Sequence, residues 1–150
     1  MRKKYRHISI AIIVVFCLTF LFFLLRKDTV SSETLKIEIK GKNYTVQVAR
    51  TALSREKGLS ETQKIPHDGM IFIFPDSGIY SFWMKDMNYP IDILWIDKNF
   101  QIIEMRENIY PGTYPEVFTP EKESLYVLET QAGFVEKHNI KVNDTVQLIQ

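Results

Sequence analysis

The chain has 150 residues, 45% apolar and 25% charged, with a formal net charge of +1, and shows no internal repeat or low-complexity block that would argue for more than one domain. Six of its basic residues precede Asp28, so residues 28–150 carry 13 Lys and Arg against 18 Asp and Glu, a formal charge of −5, which is poorly suited to phosphate backbones and argues against a nucleic acid partner. Cys17 is the single cysteine, so residues 28–150 can hold no disulfide, thiol nucleophile or cysteine metal site.

Ile8 and Leu25 bound an uncharged run of 18 residues, whose helical length of roughly 27 Å is close to that of a bilayer core. Arg2, Lys3, Lys4 and Arg6 precede it, which predicts a single-pass signal anchor over residues 1–27 with the chain beyond it extracytoplasmic. The alternative is a cleaved secretory signal with Val30, Ser31 and Ser32 at the cut and a secreted product. The apolar core is longer than such signals use, and Arg26 and Lys27 follow it where small residues would be needed. Lipid attachment at Cys17 is disfavoured because bulky Phe16 precedes it.

Residues 28–34 are polar and aperiodic and read as a tether. Alternation begins at Leu35, Ile37 and Ile39 and resumes after Gly41 with Tyr44, Val46 and Val48, predicting a hairpin. Thr51 can cap a short helix that runs to Lys57 and ends at Gly58. The turn residues around Pro66 and Gly69 lead into an apolar run, 70–74, that reads as a doubly buried strand stopped by Pro75. Further strands are expected at 79–84, 91–96, 100–107, 125–130 and 145–149, with a short helix at 132–138 closed by Asn139. Residues 110–120 hold three prolines and a glycine and form a long loop. Residues 35–150 therefore predict one mainly β extracytoplasmic domain with two short helices, built as a sandwich or a partly closed barrel.

Asp92 stands between Ile91 and Ile93, so it requires either exposure or a compensating donor. Four blocks give the chain a wider resemblance. They are Arg50-Thr51 through Arg55-x-x-Gly58-Leu59; Gly69-Met70-Ile71-Phe72-Ile73-Phe74; Phe82-Trp83-Met84-Lys85 through Pro90-Ile91-Asp92-Ile93 and Asp97; and Tyr126-Val127-Leu128-Glu129 through Ala132-Gly133. In this order the chain resembles the bacterial and archaeal family catalogued as domain of unknown function 192, over about residues 45 to 149. The resemblance implies a jelly-roll-like β domain in a family of often membrane-tethered or exported proteins, and brings no activity with it. Ser60, Asp86-Met87 and Gln131 depart from the family's methionine, Asn-Thr and asparagine.

Arg55, Asp92 and Glu129 recur in the matching blocks. A guanidinium between two carboxylates would clip helix to sheet; the same trio could bind a polar ligand, or Asp92 and Glu129 could serve as acid and base. Lys85 and Asn88 lie on the connection after Trp83, where Lys85 could hold an acidic group while Trp83 or Tyr89 stacks on a ring. The apolar neighbours of Trp83 predict a buried ring. His67 and His138 lack partners at zinc-ligand spacing, and Met70, Met84, Met87 and Met105 read as core filling before copper ligands, so no metal or cofactor is expected. The leading expectation is a membrane-anchored binding module for a small polar ligand, an envelope polymer or an envelope protein, with residues Arg55, Trp83, Lys85, Asn88, Asp92 and Glu129 in its site. The alternatives are a hydrolase or lyase acting on an envelope saccharide or peptide through Asp92 and Glu129, and a structural assembly domain.

Overall fold

A computed structural model describes residues 33–149. The expected signal anchor, and all but the end of the tether, lie outside the described residues; among those described, no helix is long and apolar enough to cross a membrane.

Nine strands form: β1 (Thr34–Ile39), β2 (Lys42–Ala49), β3 (Met70–Gly78), β4 (Phe82–Trp83), β5 (Ile91–Ile96), β6 (Ile102–Ile109), β7 (Val117–Phe118), β8 (Ser124–Gln131) and β9 (Val146–Ile149). Two short helices, α1 (Ala52–Lys57) and α2 (Phe134–His138), complete the domain with a 3-10 turn at Pro111–Thr113. Seven strands make one sheet in the order β6-β5-β8-β3-β2-β1-β9, and β4 pairs with β7 in a separate ribbon. All pairings are antiparallel except β2 with β3. That parallel pair requires a crossover, which α1 and residues 58–69 supply.

The two end strands of the sheet approach each other. Ile102 N–H donates to Asp144 O at 2.9 Å and Val146 N–H to Phe100 O at 2.8 Å, and Gln101 bridges Thr145. The sheet therefore curls into a partly closed barrel, one of the two architectures expected, and not into a two-sheet sandwich. Its inner core draws from all seven strands, with Ile37, Val46, Ile71, Leu94, Ile102, Leu128 and Val146 among its buried residues and Val135 added by α2.

A second core lies on the outer face of β3, β5 and β8, where Leu59, Met70, Phe72, Met84, Ile93, Trp95 and Val127 pack beneath the β4–β7 ribbon. All six residues of β5 are buried, because Leu94 and Ile96 enter the inner core while Ile91, Ile93 and Trp95 enter the outer one. The sequence misplaces two boundaries here. Pro75 does not end β3, which continues to Gly78 through a register irregularity after Ile73, and the strand expected at 79–84 is reduced to Phe82 and Trp83, paired with Phe118 and Val117. The pairing that rescues β4 comes from the proline-rich loop, a partner that no local pattern announces.

Candidate functional site

Asp92 and Glu129 sit on adjacent strands but face opposite sides of the sheet. In the β5–β8 pairing Asp92 is directly opposite Thr130 and Ile93 opposite Glu129. Directly opposed residues share a face, and neighbours along a strand do not. Asp92 consequently points to the inner side and Glu129 into the outer core, so the pleat separates the two carboxyls that the alternative hydrolase or lyase reading paired as acid and base.

Asp92 is fully buried and receives the backbone N–H groups of Asn108 at 2.8 Å, Val135 at 3.0 Å and Gly133 at 3.3 Å. Two of these belong to the first turn of α2, whose glycine N-cap has no side chain to offer. The compensating donor required for an acid in this strand is thus backbone amide, and Asp92 fastens α2 and the end of β6 to β5. Its lone pairs face the protein's own backbone.

Glu129 is 5% exposed, and its Oε2 is buried without a hydrogen-bond partner. Burial raises its pKa to about 8, so the carboxyl is mainly protonated at neutral pH. It lines a cavity of about 280 Å³ between α1, β3 and β4. Five rings line it, those of Phe72, Phe74, Tyr80, Phe82 and Trp83. Phe72 meets Phe82 edge-on at 5.0 Å, Phe74 stacks on Tyr80 at 3.4 Å, and Trp83 and Met87 complete that side. Trp83 is 56% exposed, which corrects the expectation of a buried ring: the fully buried tryptophan is Trp95, whose Nε1–H donates to Tyr80 O at 2.8 Å. The two-residue strand leaves the Trp83 ring at the cavity mouth instead of under a neighbouring strand.

Arg55 lines the same cavity but, among the described residues, pairs with no acid, so the expected clip to Asp92 and Glu129 does not form. Its Nη1 donates to the carbonyls of Arg50 and, at 3.1 Å, Ile73, and its guanidinium lies 5.1 Å over the Phe74 ring. Arg55 joins α1 to β3 through backbone and ring. The helix is set by a reciprocal cap, in which Thr51 Oγ1 accepts from Ser54 N–H at 3.1 Å and Ser54 Oγ accepts from Thr51 N–H at 2.9 Å.

Lys85 is exposed and lines a neighbouring groove that shares Trp83 with the cavity. Asn88 donates through Nδ2 to Thr62 O at 2.9 Å and holds the chain beside Tyr89, whose hydroxyl is 2.5 Å from Thr62 Oγ1. Of the six expected site residues, the cavity unites Arg55, Trp83 and Glu129, leaving Lys85 next door, Asn88 in the loop scaffold and Asp92 across the sheet. The sequence reading missed Phe72, Phe74, Tyr80 and Phe82. Their signal, aromatics at alternate positions in two segments, is the same one that marks an ordinary core.

His67 and His138, remote in sequence, line one cavity with Tyr44 and Asp68. Desolvation first, then Lys42 and Lys137, lower the His138 pKa, while Asp68 opposes them. Among the described residues no group of three or more His, Cys, Asp or Glu is placed to hold a metal ion. Met70 and Met84 are buried in the outer core with Met87 packed on it, whereas Met105 packs on the inner one.

A protein from Sinorhizobium meliloti 1021, described as a "putative transcription regulator", superposes with a TM-score of 0.73 at 26% identity, over 78% of this chain and 95% of its own. A protein of unknown function from Novosphingobium aromaticivorans DSM 12444 has a TM-score of 0.71 at 23% identity, covering 80% of this chain and 89% of its own; at that identity the likeness shows the fold alone. No curated protein matches the chain. Residues 35–148 match the domain of unknown function 192 family, described as "Uncharacterized ACR", and the chain belongs to that family.

Proposed function

We propose that this domain is a small-ligand binding module, held outside the membrane by the apolar segment at residues 8–25. One observation carries the reading: a buried carboxyl, Glu129, lines an aromatic cavity, and its Oε2 has no partner among the described residues. A buried acid left in this state costs stability unless something else supplies a hydrogen-bond partner. Apolar walls with a few convergent polar groups are the usual makeup of small-molecule sites. Elsewhere in the same sheet Asp92 is fully satisfied, so the fold is able to partner such a group.

Ser60 and Met87, two of the positions that depart from the family pattern, lie in the cavity wall, which fits a ligand particular to this member. The description of the Sinorhizobium protein does not carry over readily, since residues 28–150, with a formal charge of −5, are a poor match for a phosphate backbone.

The test is an NMR fragment screen on isotope-labelled protein. Shifts confined to the amides of Gly58, Phe82, Trp83 and Glu129, and lost in Trp83→Ala, are expected; fragments that bind only elsewhere, or none that bind, would sink the reading.

A further inference from the structure

Building on that reading, we infer that the cavity takes an organic ammonium group, seated against the rings of Phe72, Phe82 and Trp83 with Glu129 as its counter-ion. What the Glu129 carboxyl lacks among the described residues is a partner, whether a counter-charge or a hydrogen bond. Oε2 of Glu129 is buried and has no partner among the described residues, and Arg55, one basic residue of the cavity wall, is committed to two backbone carbonyls and the Phe74 ring. Lys57, the other basic residue of that wall, is paired with Glu61. What the site offers is an aromatic lining, with Phe72, Phe82 and Trp83 in its wall. Trp, Tyr and Phe attract a desolvated cation through their quadrupoles, and an aromatic cage closed by a carboxylate is a recurrent solution for quaternary ammonium. The guanidinium over Phe74 shows that one ring of this wall already holds a cation.

A sugar hydroxyl is the competing donor, and proton linkage separates the two. An ammonium needs Glu129 ionised, whereas a hydroxyl is bound as well by the protonated carboxyl or by an amide. Burial holds Glu129 protonated up to about pH 8, so an ammonium must displace that proton and its affinity should rise about tenfold per pH unit below that point. The other charged or titratable groups around the carboxyl are Arg55, Glu56 and Lys57 from α1, Tyr80 before β4, and Tyr89 before β5. Burial raises the Tyr89 pKa above its ordinary value of 10.0, so it stays neutral through this range. On the strands flanking Glu129, the directly opposed residues are Met70 and Ile93, which do not titrate.

The experiment compares choline with its neutral isostere 3,3-dimethyl-1-butanol, and with methyl glucoside, by NMR titration of the full chain at pH 6, 7 and 8. Choline should bind at pH 8 at least tenfold more tightly than the isostere, weaken about tenfold per unit toward pH 6, and lose at least tenfold affinity in Glu129→Gln. Trp83→Leu, a change at an exposed ring that leaves the core intact, should weaken choline severalfold and more than it weakens the isostere. Equal affinity for the isostere, no pH dependence, full retention in Glu129→Gln, or no choline binding at all would overturn the inference. Of these, binding of the isostere or of methyl glucoside at the cavity would leave the small-ligand reading standing. A cavity that answers neither these probes nor the fragments ends both.

Discussion

Glu129 and Asp92 show how differently one sheet can treat two buried acids. The pKa of Glu129 is raised from 4.5 to about 8 by desolvation, and the consequence for stability has a definite sign. Below about pH 4.5 folded and unfolded chains both hold the proton. Between pH 4.5 and 8 only the folded chain does, so stability falls as pH rises and the fall ends above about pH 8, for a loss on the order of 3 to 5 kcal/mol. Glu129→Gln should abolish that decline and make the variant more stable than wild type at pH 8, measured by urea denaturation across this range; a decline that persists in the variant would place its origin elsewhere. Asp92→Ala is expected to act in the opposite way. It strands the N–H groups of Asn108, Gly133 and Val135, so it should destabilise the domain by about 3 to 5 kcal/mol, with hydrogen exchange accelerated first in α2. A loss below about 1 kcal/mol would show that water replaces the carboxylate at all three.

At the scale of elements, the cavity exists because α1 and the β4–β7 ribbon cover the outer face of the sheet without meeting over Glu129. Gly58 ends α1 with φ of +48°, and a Cβ there would press on the Phe72 ring at 3.3 Å. Gly69 brings the start of β3 so near β8 that a Cβ would lie 2.3 Å from Glu129 O, which fixes the strand bearing the carboxyl. Arg55 ties α1 to β3 through two carbonyls and a ring, without an acid to orphan. Arg55→Ala should therefore cost about 1 to 2 kcal/mol, and not the 3 to 5 expected of a broken buried ion pair. Trp83→Ala, at a half-exposed ring, should change stability by less than about 1 kcal/mol while impairing ligand capture. Thermal melts of the two variants check both values, and a large loss in Trp83→Ala would return that ring to the core.

Across the whole molecule, the sheet curls until Phe100 to Ile102 and Asn143 to Val146 bond, leaving an inner core sealed from an outer layer that carries the cavity. We propose an extracytoplasmic placement for this domain from the uncharged run at residues 8–25 and its basic flank. A reporter joined after Gln150 is expected to be active only outside the cytoplasm, with the protein in the membrane fraction; a soluble product beginning near residue 33 would mean a cleaved signal instead.

The sequence by itself determined what is local or periodic. Alternation located β1 and β2, and apolar runs located β5 and β8; Thr51 and Gly58 bounded α1; and an acid inside an apolar strand identified Asp92 as a residue in need of donors. Four ordered blocks also identified the family. Tertiary structure decided the rest, because contacts between distant segments leave no local periodicity. Pairing with Val117 and Phe118 made a strand of Phe82 and Trp83 and left the Trp83 ring at the surface. The register of β5 on β8 sent Asp92 and Glu129 to opposite faces. Two carboxyls of similar chemistry in similar apolar strands thereby acquired different fates, one saturated by backbone amides and the other left at an aromatic cavity, since which donors reach a side chain is set by how the strands are assembled.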